Sequence, residues 1–335
     1  MNFSKKINLN EKIFVAGASG MVGSAICRTL KKYGYGLKEN RGKILKPNRN
    51  ELDLLDNKKV DNWFTEKKPS VVILAAAKVG GIYANSSQPY SFLIENLKIQ
   101  NNVIESAFKN KVKRFLFLGS SCIYPKYCNQ PIKEESLLTG PLEKTNENYA
   151  IAKIAGIKLC ESLSSQYNFD AISLMPTNLY GPNDNYHSTN SHVMASFIRK
   201  FAEAKKKSLP LVTCWGSGNP LREFLHVDDL GEAIVFALEN WDPLSSNSPK
   251  DEDGKPLKFL NVGTGKDITI KKLAEMVARI CEFRGEIFWD KTKPDGTPKK
   301  QLNINKIINL GWEPKIKLED GVRNAIDDFR LNYMN

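Results

Sequence analysis

Apolar and polar residues follow two distinct patterns in the first half of the chain. Short, continuous apolar runs recur, and such runs are typical of strands buried on both faces of a parallel sheet. Longer stretches between them repeat apolar residues at helical spacing. Predicted strands span residues 11–16, 43–49, 70–77, 115–118 and 171–175, and predicted helices follow the first strand, span residues 90–109 and include residues 149–153. This alternation predicts an α/β fold with a doubly wound parallel sheet.

The second half of the chain departs from this strict alternation. Turn-forming residues follow residue 176, and the later predicted elements are less regular. These elements are helices at residues 192–207, 229–240 and 318–330, a strand at 211–215, and a strand, glycine turn and helix across 260–280. Residues 240–258 are polar and rich in turn formers, which predicts an exposed loop or an insertion.

Length and composition limit the class of protein. The chain has 335 residues, more than one ordinary domain, and 41% of them are hydrophobic, which is enough for a sizeable core. No apolar run approaches the roughly 20 residues of a membrane span. Residues 1–12 are polar and lack the apolar centre of a signal peptide. The sequence therefore predicts a soluble, cytoplasmic protein without a membrane partner.

Charge and cysteine content narrow the ligands. The 49 lysines and arginines exceed the 37 acidic residues by 12. This excess suits anionic ligands such as nucleotides, although a lysine-rich composition would give the same total. The basic residues are dispersed and no recognition motif is present, so nucleic acid is disfavoured as a partner. Six scattered cysteines, without a C-x-x-C pair or a histidine at ligand spacing, predict neither a metal site nor disulfides.

A glycine-rich turn follows the first predicted strand. The sequence GASGMVG has the spacing G-x-x-G-x-x-G and leads into a helix pattern. Glycines permit a tight turn and close backbone approach, and a helix N-terminus favours a pyrophosphate, so the three elements together predict a dinucleotide site. Its residues are Gly17, Ala18, Ser19, Gly20, Met21, Val22 and Gly23.

The end of the second predicted strand favours NADP(H) over NAD(H). NAD enzymes usually present a carboxylate there to the ribose hydroxyls, whereas this chain presents Lys46 and Arg49. A guanidinium pairs well with a 2′-phosphate, which a carboxylate would repel. Glu51 and Asp53 follow a few positions later and weaken the preference.

Candidate catalytic residues lie between the fourth predicted strand and the next helix. Ser120 comes at the strand end, and Tyr149 and Lys153 share one helix face. Because a tyrosine has a pKa of about 10, it needs a nearby positive charge to act at neutral pH. Lys153 would supply that charge, and Ser120 would polarise a substrate carbonyl. Alone, the Tyr-x-x-x-Lys spacing is a weak signal, since both residues are common on solvated helix faces.

Two residues of the second half are candidates for holding a second ligand. Arg222 would bind a phosphate through its guanidinium, and Trp215 would stack on a base or sugar. A surface salt bridge for Arg222 and a core position for Trp215 explain the two residues equally well at this point.

Longer motifs extend over almost the whole chain. They are GASGMVG, LAAAKVGGI, FLGSSCIYP, EKTNENYAIAKIAGIKLCES, MPTNLYGP, NSHV, WGSGNPLREFLHVDD and KPDGTPKK. Together they resemble the extended short-chain dehydrogenase/reductase superfamily and, within it, the GDP-L-fucose synthases. The resemblance implies a Rossmann-type NADP-binding lobe at residues 1–176 and about 223–262, and a smaller C-terminal α/β lobe for the GDP-sugar at about 177–222 and 263–335.

The resemblance also implies an activity and an assembly. Members of this family are homodimers that use NADP(H) and act on GDP-4-keto-6-deoxy-D-mannose. They epimerise the sugar at C3 and C5 and then reduce the C4 ketone, which gives GDP-L-fucose.

Individual residues take roles from the same resemblance. Ser120, Tyr149 and Lys153 would act at the C4 oxygen, and Cys122 and His192 would move protons in the epimerisations. Cys122 would work as a thiolate if His192 or Lys153 lowers its pKa. Without the resemblance, Cys122 would be a small buried hydrophobe and His192 a helix-start residue. Cofactor contacts fall on residues 17–23, Arg49, Leu118, Gly119, Ser120, Ser121, Lys153, Pro176, Thr177, Asn178, Leu179 and His192, and GDP-sugar contacts on Lys200, Trp215, Arg222 and Asp295.

The chain departs from the family pattern at two places. Ser19 stands where some members carry an arginine that helps to hold the 2′-phosphate, which leaves more of the NADP preference to Arg49. The polar stretch around residues 245–255 is also longer than the family requires.

Three other interpretations compete with this one. A GDP-mannose 4,6-dehydratase needs a carboxylate pair after the strand-end hydroxyl, where Ser121 and Cys122 stand. A C4 reductase of a related GDP-deoxysugar or heptose, without epimerisation, has no use for Cys122 and His192. A catalytically silent NADP-binding regulator has no use for Tyr149 and Lys153.

Overall fold

The computed structural model describes residues 5–188, 190–293 and 295–334, so residues 1–4, 189, 294 and 335 of the predicted lobes lie outside the described residues. Within these ranges the helices are α1 (Met21–Lys32), α2 (Asn57–Lys67), α3 (Ile82–Ser87), α4 (Pro89–Lys109), α5 (Glu147–Tyr167), α6 (Val193–Lys206), α7 (Val227–Asn240), α8 (Ile270–Ile280), α9 (Asn305–Leu310) and α10 (Leu318–Tyr333). The strands are β1 (Lys12–Ala16), β2 (Lys43–Leu45), β3 (Val71–Leu74), β4 (Arg114–Leu118), β5 (Ala171–Pro176), β6 (Asn178–Tyr180), β7 (Leu211–Trp215), β8 (Leu221–His226), β9 (Phe259–Val262), β10 (Asp267–Thr269), β11 (Glu286–Asp290) and β12 (Lys299–Lys300). Short 3₁₀ helices lie at Lys38–Asn40, Ser121–Ile123 and Glu134–Ser136.

Six parallel strands form the central sheet, in the spatial order β2-β1-β3-β4-β5-β9. Every residue of β3, β4 and β5 is buried, as expected for strands covered on both faces. The chain passes from β1 to the edge strand β2 and then crosses back to β3, so the strand order reverses between β1 and β3. The carboxyl ends of these strands frame the crevice where such folds bind ligands. The predicted doubly wound parallel sheet is confirmed.

The strands that the sequence predicted agree with the structure to within three residues at each end, except at β2, whereas β6, β8, β10, β11 and β12 were not predicted. Strand β2 ends at Leu45, whereas the pattern extended it to residue 49. Pro47 has no amide hydrogen to give to a neighbouring strand, so the ladder cannot continue through it. Lys46 and Arg49 consequently lie on an exposed loop at the carboxyl end of β2.

Helices pack on the sheet in two groups. α1 contacts α7, and α4 contacts both α2 and α5. Glycine permits the close approaches: a Cβ at Gly231 of α7 would lie 2.5 Å from Thr29 Oγ1, and one at Gly156 of α5 would lie 2.5 Å from the Phe117 ring. Across the described ranges, these and the remaining helices are too short or too polar to cross a membrane.

A second group of elements follows β5. Strand β8 pairs with β6, β10 and β12, and β7 pairs with β11. Helices α6, α8 and α10 give this region its own apolar cluster, which includes Phe201, Leu273 and Ile326. Leu302 and Trp312, although late in the chain, pack into the larger cluster around the parallel sheet. The last part of the chain therefore contributes to both cores.

The polar stretch at residues 240–258 leaves the core from a fixed point. Trp241 at its start is buried, and its backbone carbonyl accepts a hydrogen bond from the buried Arg114 guanidinium, which also pairs with Asp170. Further along, Leu244 is exposed. Ser248 and Leu257 are buried as well, so the stretch is a loop that is exposed only in part.

Candidate active site

The glycine turn after β1 is shaped by close backbone contact with β3. Gly17 has φ +86°, a conformation that favours glycine, and a Cβ there would lie 2.9 Å from the backbone of Ala76. A Cβ at Gly23 would lie 2.0 Å from the carbonyl oxygen of Gly17. Side chains at these positions would therefore push the turn away from the crevice between β1 and β3.

The N-terminus of α1 opens into the same crevice. Gly20 is its N-cap, without a side-chain hydrogen bond, and the first turn, which contains Met21 and Val22, carries no acidic residue. Its backbone N–H groups and the positive end of the helix dipole therefore suit a pyrophosphate. Ala18 packs against the larger apolar cluster, and Ser19 is exposed at the tip of the turn.

An exposed arginine, paired loosely with one carboxylate, lies on the loop beyond β2. The Arg49 side chain is 76% exposed, and its Nε lies 4.0 Å from Asp53 Oδ1. The carboxylates that follow are engaged locally, since Glu51 accepts a hydrogen bond from Asn48 N and Asp53 accepts one from Leu55 N. A ligand at this edge would therefore meet a guanidinium first.

The residues after β4 form a tight bend. Gly119 packs so closely that a Cβ would lie 2.3 Å from the Met175 sulfur. Ser120 then caps the short 3₁₀ helix that contains Ser121, and its Oγ accepts a hydrogen bond from Cys122 N at 3.3 Å. The hydroxyl predicted to polarise a substrate oxygen thus also fixes the backbone of the predicted thiol.

Helix α5 brings Tyr149 and Lys153 to this bend. The Lys153 ammonium donates to the carbonyl oxygen of Leu118 at 2.7 Å and lies 5.8 Å from the centre of the Tyr149 ring. The Phe92 ring of α4 meets the Tyr149 ring edge-on, with centroids 6.5 Å apart. Packing from two helices and one hydrogen bond to β4 therefore fix the pair against the strand that leads into Ser120.

Burial is the largest cause of the pKa shifts of this pair. Burial lowers the pKa of Lys153 to about 8, although the nearby Cys122 opposes the shift. Burial raises the pKa of Tyr149 well above its usual value, and Cys122 raises it further. The acidifying effect of Lys153 on Tyr149 stays a prediction, because Lys153 is not among the causes of this shift. Tyr149 is held as a proton donor.

The surroundings of Cys122 also differ from expectation. The side chain is buried, which raises the pKa of its thiol, while Lys300, then the Ser120 hydroxyl and Lys153, lower it. Lys153 acts as predicted, but the first opposing charge is Lys300 and not His192. The sequence pattern KPDGTPKK predicted a basic loop there and gave no sign that one of its lysines turns towards the thiol.

His192 is the N-cap of α6 and is exposed. The residue reaches solvent, yet the protein around it is dense enough to lower the pKa of its imidazole. The preceding loop is tied to the turn after β3, since Gly81 N donates to Asn190 O at 3.2 Å and a Cβ at Gly81 would lie 2.8 Å from Ser191 O. The loop that leads into His192 thus lies at the carboxyl end of β3.

The segment after β5 is fixed by hydrogen bonds to β8. Pro176 ends β5, and Thr177 Oγ1 and Asn178 Nδ2 both donate to the carbonyl oxygen of Glu223, at 3.3 and 2.8 Å. Leu179 packs against the larger apolar cluster. These contacts hold the predicted nicotinamide-side residues next to Arg222, the neighbour of Glu223.

Two lysines and a tryptophan meet in the second group of elements, the one that follows β5. They are Lys200, Lys293 and Trp215, and their place is called the outer end of the site. Trp215 is 58% exposed, which excludes the core position considered from sequence. The Lys200 and Lys293 ammonium groups lie 5.9 and 5.5 Å from its ring centre, and Lys200 also donates to Thr213 O at 2.8 Å. Lys200, Thr213 and Trp215 line a cavity of about 330 Å³. The arrangement presents an aromatic face and positive charge to a ligand.

Arg222 lies deeper than Trp215. Burial lowers the pKa of its guanidinium, opposed by Asp295 and Glu143. Asp295 accepts hydrogen bonds from the backbone N and the Oγ of Ser217, at 2.9 and 2.6 Å. Gly296 leaves room for the guanidinium, because a Cβ there would lie 2.8 Å from Nη2. The guanidinium is thus partly screened from water, as an anion site requires.

A larger cavity, of about 700 Å³, lies away from these residues. Its lining mixes acidic and basic side chains from Glu134 and Glu135, from α5 and from residues 251–259. None of the predicted catalytic, cofactor or sugar residues lines it.

Comparison with known proteins gives this geometry a context. Residues 13–248 match the NAD dependent epimerase/dehydratase family. A relative named Putative GDP-L-fucose synthase 2, from Arabidopsis thaliana, is 52% identical over 323 residues, which cover 96% of this chain and 93% of the relative. GDP-L-fucose synthase of Escherichia coli K12 is 47% identical over 322 residues, which cover 96% of this chain and 97% of that protein.

A solved structure extends the comparison to the fold. GDP-mannoheptose C4 reductase from Campylobacter jejuni, with NADP bound, superimposes with a TM-score of 0.83 at 34% identity. The superposition covers 97% of this chain and 99% of that one.

Proposed function

The chain belongs to the NAD dependent epimerase/dehydratase family, and from this premise we propose that it converts GDP-4-keto-6-deoxy-D-mannose to GDP-L-fucose with NADPH. The enzyme epimerises C3 and C5 and then reduces the C4 ketone. Relatives at 52% and 47% identity are named GDP-L-fucose synthase, whereas the heptose C4 reductase is 34% identical. This difference favours epimerisation followed by reduction.

One observation carries the proposal: a thiol, a phenol and an ammonium group lie at the same bend after β4. Lys153 Nζ donates to Leu118 O at 2.7 Å and lies 5.8 Å from the centre of the Tyr149 ring, and Cys122 N donates to Ser120 Oγ at 3.3 Å. Ketone reduction needs a proton donor for the C4 oxygen, and Tyr149 is that donor. A thiol at the same place adds a group that can move a proton on a carbon beside the ketone.

The chemistry of the substrate explains why these groups belong together. Hydrogens at C3 and C5 flank the C4 ketone, so removal of either one gives an enolate with its charge on the C4 oxygen. Ser120 and Tyr149 would donate hydrogen bonds to that oxygen and stabilise the enolate. Inversion requires removal on one face and return on the other, so it needs two groups, and we assign them to Cys122 and His192.

Reduction uses the same oxygen. When it is bound, NADPH supplies the hydride for C4, and the proton for the resulting oxygen comes from Tyr149. The raised pKa of Tyr149 keeps it protonated at neutral pH, ready to donate. Lys153, whose pKa is about 8, carries charge near neutrality and favours the phenolate left behind.

The residues fit NADP(H) at the crevice between β1 and β3. The close contact of Gly17 with Ala76 leaves backbone, not side chains, at the turn, and α1 presents uncapped N–H groups to a pyrophosphate. Arg49 and Lys46 are exposed where a 2′-phosphate would meet them. Ser19 adds a hydroxyl but no charge, so selectivity for NADP rests on these two cations.

The GDP-sugar fits the second region. Trp215 and Lys200 would hold the nucleoside end, and Arg222, with Asp295 beside it, would hold the diphosphate. We assign residues 1–176 and about 223–262 to cofactor binding, and the rest to the sugar nucleotide.

Assembly and location complete the proposal. We propose a homodimer in the cytoplasm. Exposed apolar side chains on α4 and α5, such as Tyr90 and Ile151, support a surface for a second copy. Light scattering of the purified protein tests this part, and a monomer at micromolar concentration would contradict it.

The activity is tested by supplying GDP-4-keto-6-deoxymannose and NADPH in D2O. We expect oxidation of NADPH and a GDP-L-fucose product with deuterium at C3 and C5. Oxidation without deuterium at these carbons would instead support the alternative, a C4 reductase of a related GDP-deoxysugar or heptose, which the likeness to the heptose reductase keeps in view. If the protein catalysed neither NADPH oxidation nor deuterium exchange, both enzymatic interpretations would be refuted, and the catalytically silent NADP-binding regulator would remain.

A further inference from the structure

Lys300 lies on the inner side of a two-residue strand. β12 runs parallel to β8, with Lys300 opposite Arg222. Successive side chains on a strand point to opposite faces, and the neighbouring Lys299 ammonium pairs with Asp267 at 3.3 Å. Lys300, on the other face, is partly buried and interacts with Cys122. Two adjacent lysines thus have different surroundings.

The peptide groups on both sides of Lys300 are held by one side chain. Gln130 Nε2 donates to the carbonyl oxygen of Lys299 at 3.3 Å, and Gln130 Oε1 accepts from Gln301 N at 2.9 Å. Gln130 belongs to the loop that continues from Cys122. The amide therefore clamps the lysine-bearing strand directly to the thiol-bearing loop.

Further hydrogen bonds extend this clamp. Ile132 N donates to Gln301 O and Asn303 N donates to Ile132 O, each at 2.8 Å. The buried Asn261 links the same segments, because its Nδ2 donates to Ile132 O at 2.9 Å while its Oδ1 accepts from Tyr124 OH at 2.6 Å. Tyr124 is two residues from Cys122. These bonds therefore join the backbone around Lys300 to the loop that continues from Cys122.

We propose that Lys300 is the cation that stabilises the Cys122 thiolate during proton transfer at carbon, and that Gln130 is a positioning residue that holds Lys300 there. This inference rests on the proposed epimerisation. Neither role could be read from the spacing of KPDGTPKK.

Cys122 acts as a base in one direction of the epimerisation and as an acid in the other. The Cys122 thiol loses its proton to solvent, and the thiolate then takes the sugar hydrogen as a proton while the C–H electron pair moves into the enolate. In the opposite direction, the thiol gives its proton to the enolate carbon and the sulfur keeps the charge. Lys300 exchanges no proton and only faces the negative sulfur.

Other charges surround the two groups. Lys300 also interacts with Arg222, Cys128 and Glu143. Cys122 also interacts with the ammonium of Lys153. Burial lowers the pKa of the Lys300 ammonium and Arg222 lowers it further, whereas Cys122, Cys128 and Glu143 raise it, so the negative sulfur favours the charged lysine.

The experiment follows hydrogen–deuterium exchange at C3 and C5 by NMR, with the GDP-ketosugar in D2O from pH 6 to 10. In Lys300→Met, exchange at the carbon served by Cys122 should slow about tenfold near pH 7, because the midpoint of its pH dependence rises by about one unit. Lys300→Arg should restore much of the rate because it keeps the charge. Gln130→Met should give an intermediate shift.

Lys299→Met is the matched control, since it removes an equal charge from the same strand on the opposite face. Its exchange profile should match wild type, and thermal unfolding checks that each variant is folded. A Lys300→Met profile with an unchanged midpoint, whether KM rises or all rates fall together, would overturn the inference and leave epimerisation intact. A wild-type enzyme that exchanges neither carbon would overturn the proposed function itself.

Discussion

The two ends of the candidate active site differ in their access to water. At the carboxyl end of β4, Cys122 and Lys153 are 7% and 3% exposed. Burial raises the pKa of the Cys122 thiol and lowers that of the Lys153 ammonium. At the outer end, Trp215 is 58% exposed and lies near the ammonium groups of Lys200 and Lys293. Desolvation changes the energetics of proton transfer, whereas an exposed aromatic surface contributes contact area. The inner end is therefore suited to chemistry and the outer end to binding.

The largest effect should come from Tyr149→Phe at the inner end. Loss of the only hydroxyl on that ring removes the proton donor for the C4 oxygen, so turnover should fall by about 10³-fold or more. Affinity for NADPH should stay close to wild type, since the ring and its contact with Phe92 remain. Steady-state kinetics and a fluorescence titration of NADPH measure the two quantities.

Tyr167→Phe provides the matched control for this change. Tyr167 ends α5, is exposed and packs against Phe108 with the two rings tilted by 40°, away from the crevice. Its loss of a hydroxyl should leave turnover unchanged. Retained turnover in Tyr149→Phe would remove that phenol from the mechanism.

Cys122→Ser should have the next largest effect, and a selective one. A serine hydroxyl is a far weaker acid than a thiol, so epimerisation should slow by about 10²-fold. Ser120, Tyr149 and Lys153 remain, so NADPH-dependent reduction of a ketosugar that is already epimerised should continue. Product analysis by NMR measures both, and unchanged formation of the epimerised product would refute the role of the thiol.

The pH dependence of turnover should show whether the charge of Lys153 is needed for catalysis. Since its pKa is lowered to about 8, the side chain is charged below that pH and neutral above it. If the ammonium is needed, kcat should fall about tenfold for each pH unit above 8. In Lys153→Arg the charge persists to about pH 12, so the activity that remains should lack this alkaline loss. Identical alkaline limbs in both proteins would assign the loss to another group.

Cofactor preference should change modestly through the exposed loop after β2. Arg49→Glu would place a carboxylate where a 2′-phosphate is expected, and the ratio of kcat/KM for NADPH over NADH should drop by about tenfold or more. Arg41→Glu, which changes an equal charge on another loop, is the control. A wild-type preference for NADH would overturn the assignment of Lys46 and Arg49.

The two regions also differ in how far the sequence predicted them. Strands β1, β3, β4 and β5 are continuous apolar runs that only a buried sheet accommodates, so the pattern located them and the residues at their carboxyl ends. β12 has two lysines and no apolar periodicity. It forms because Gln130 and β8 bind its backbone, and those partners are distant in the chain.

Protonation states could not be predicted from the sequence, for a related reason. The spacing of Tyr149 and Lys153 correctly placed them on one helix face, but it carried no information about burial. Burial raises the pKa of the phenol and lowers that of the ammonium. The exposure of Trp215 and the approach of Lys300 to Cys122 likewise depend on tertiary packing.

The most direct measurement compares Cys122→Ser and Trp215→Ala in one assay of deuterium incorporation and NADPH oxidation in D2O. The account predicts that Cys122→Ser loses exchange at one carbon with little change in KM. It predicts that Trp215→Ala raises the KM for the GDP-sugar about fivefold, roughly 1 kcal/mol, with full deuterium incorporation per turnover. If Trp215→Ala instead abolished exchange while Cys122→Ser only weakened binding, the division between an inner chemical end and an outer binding end would be contradicted.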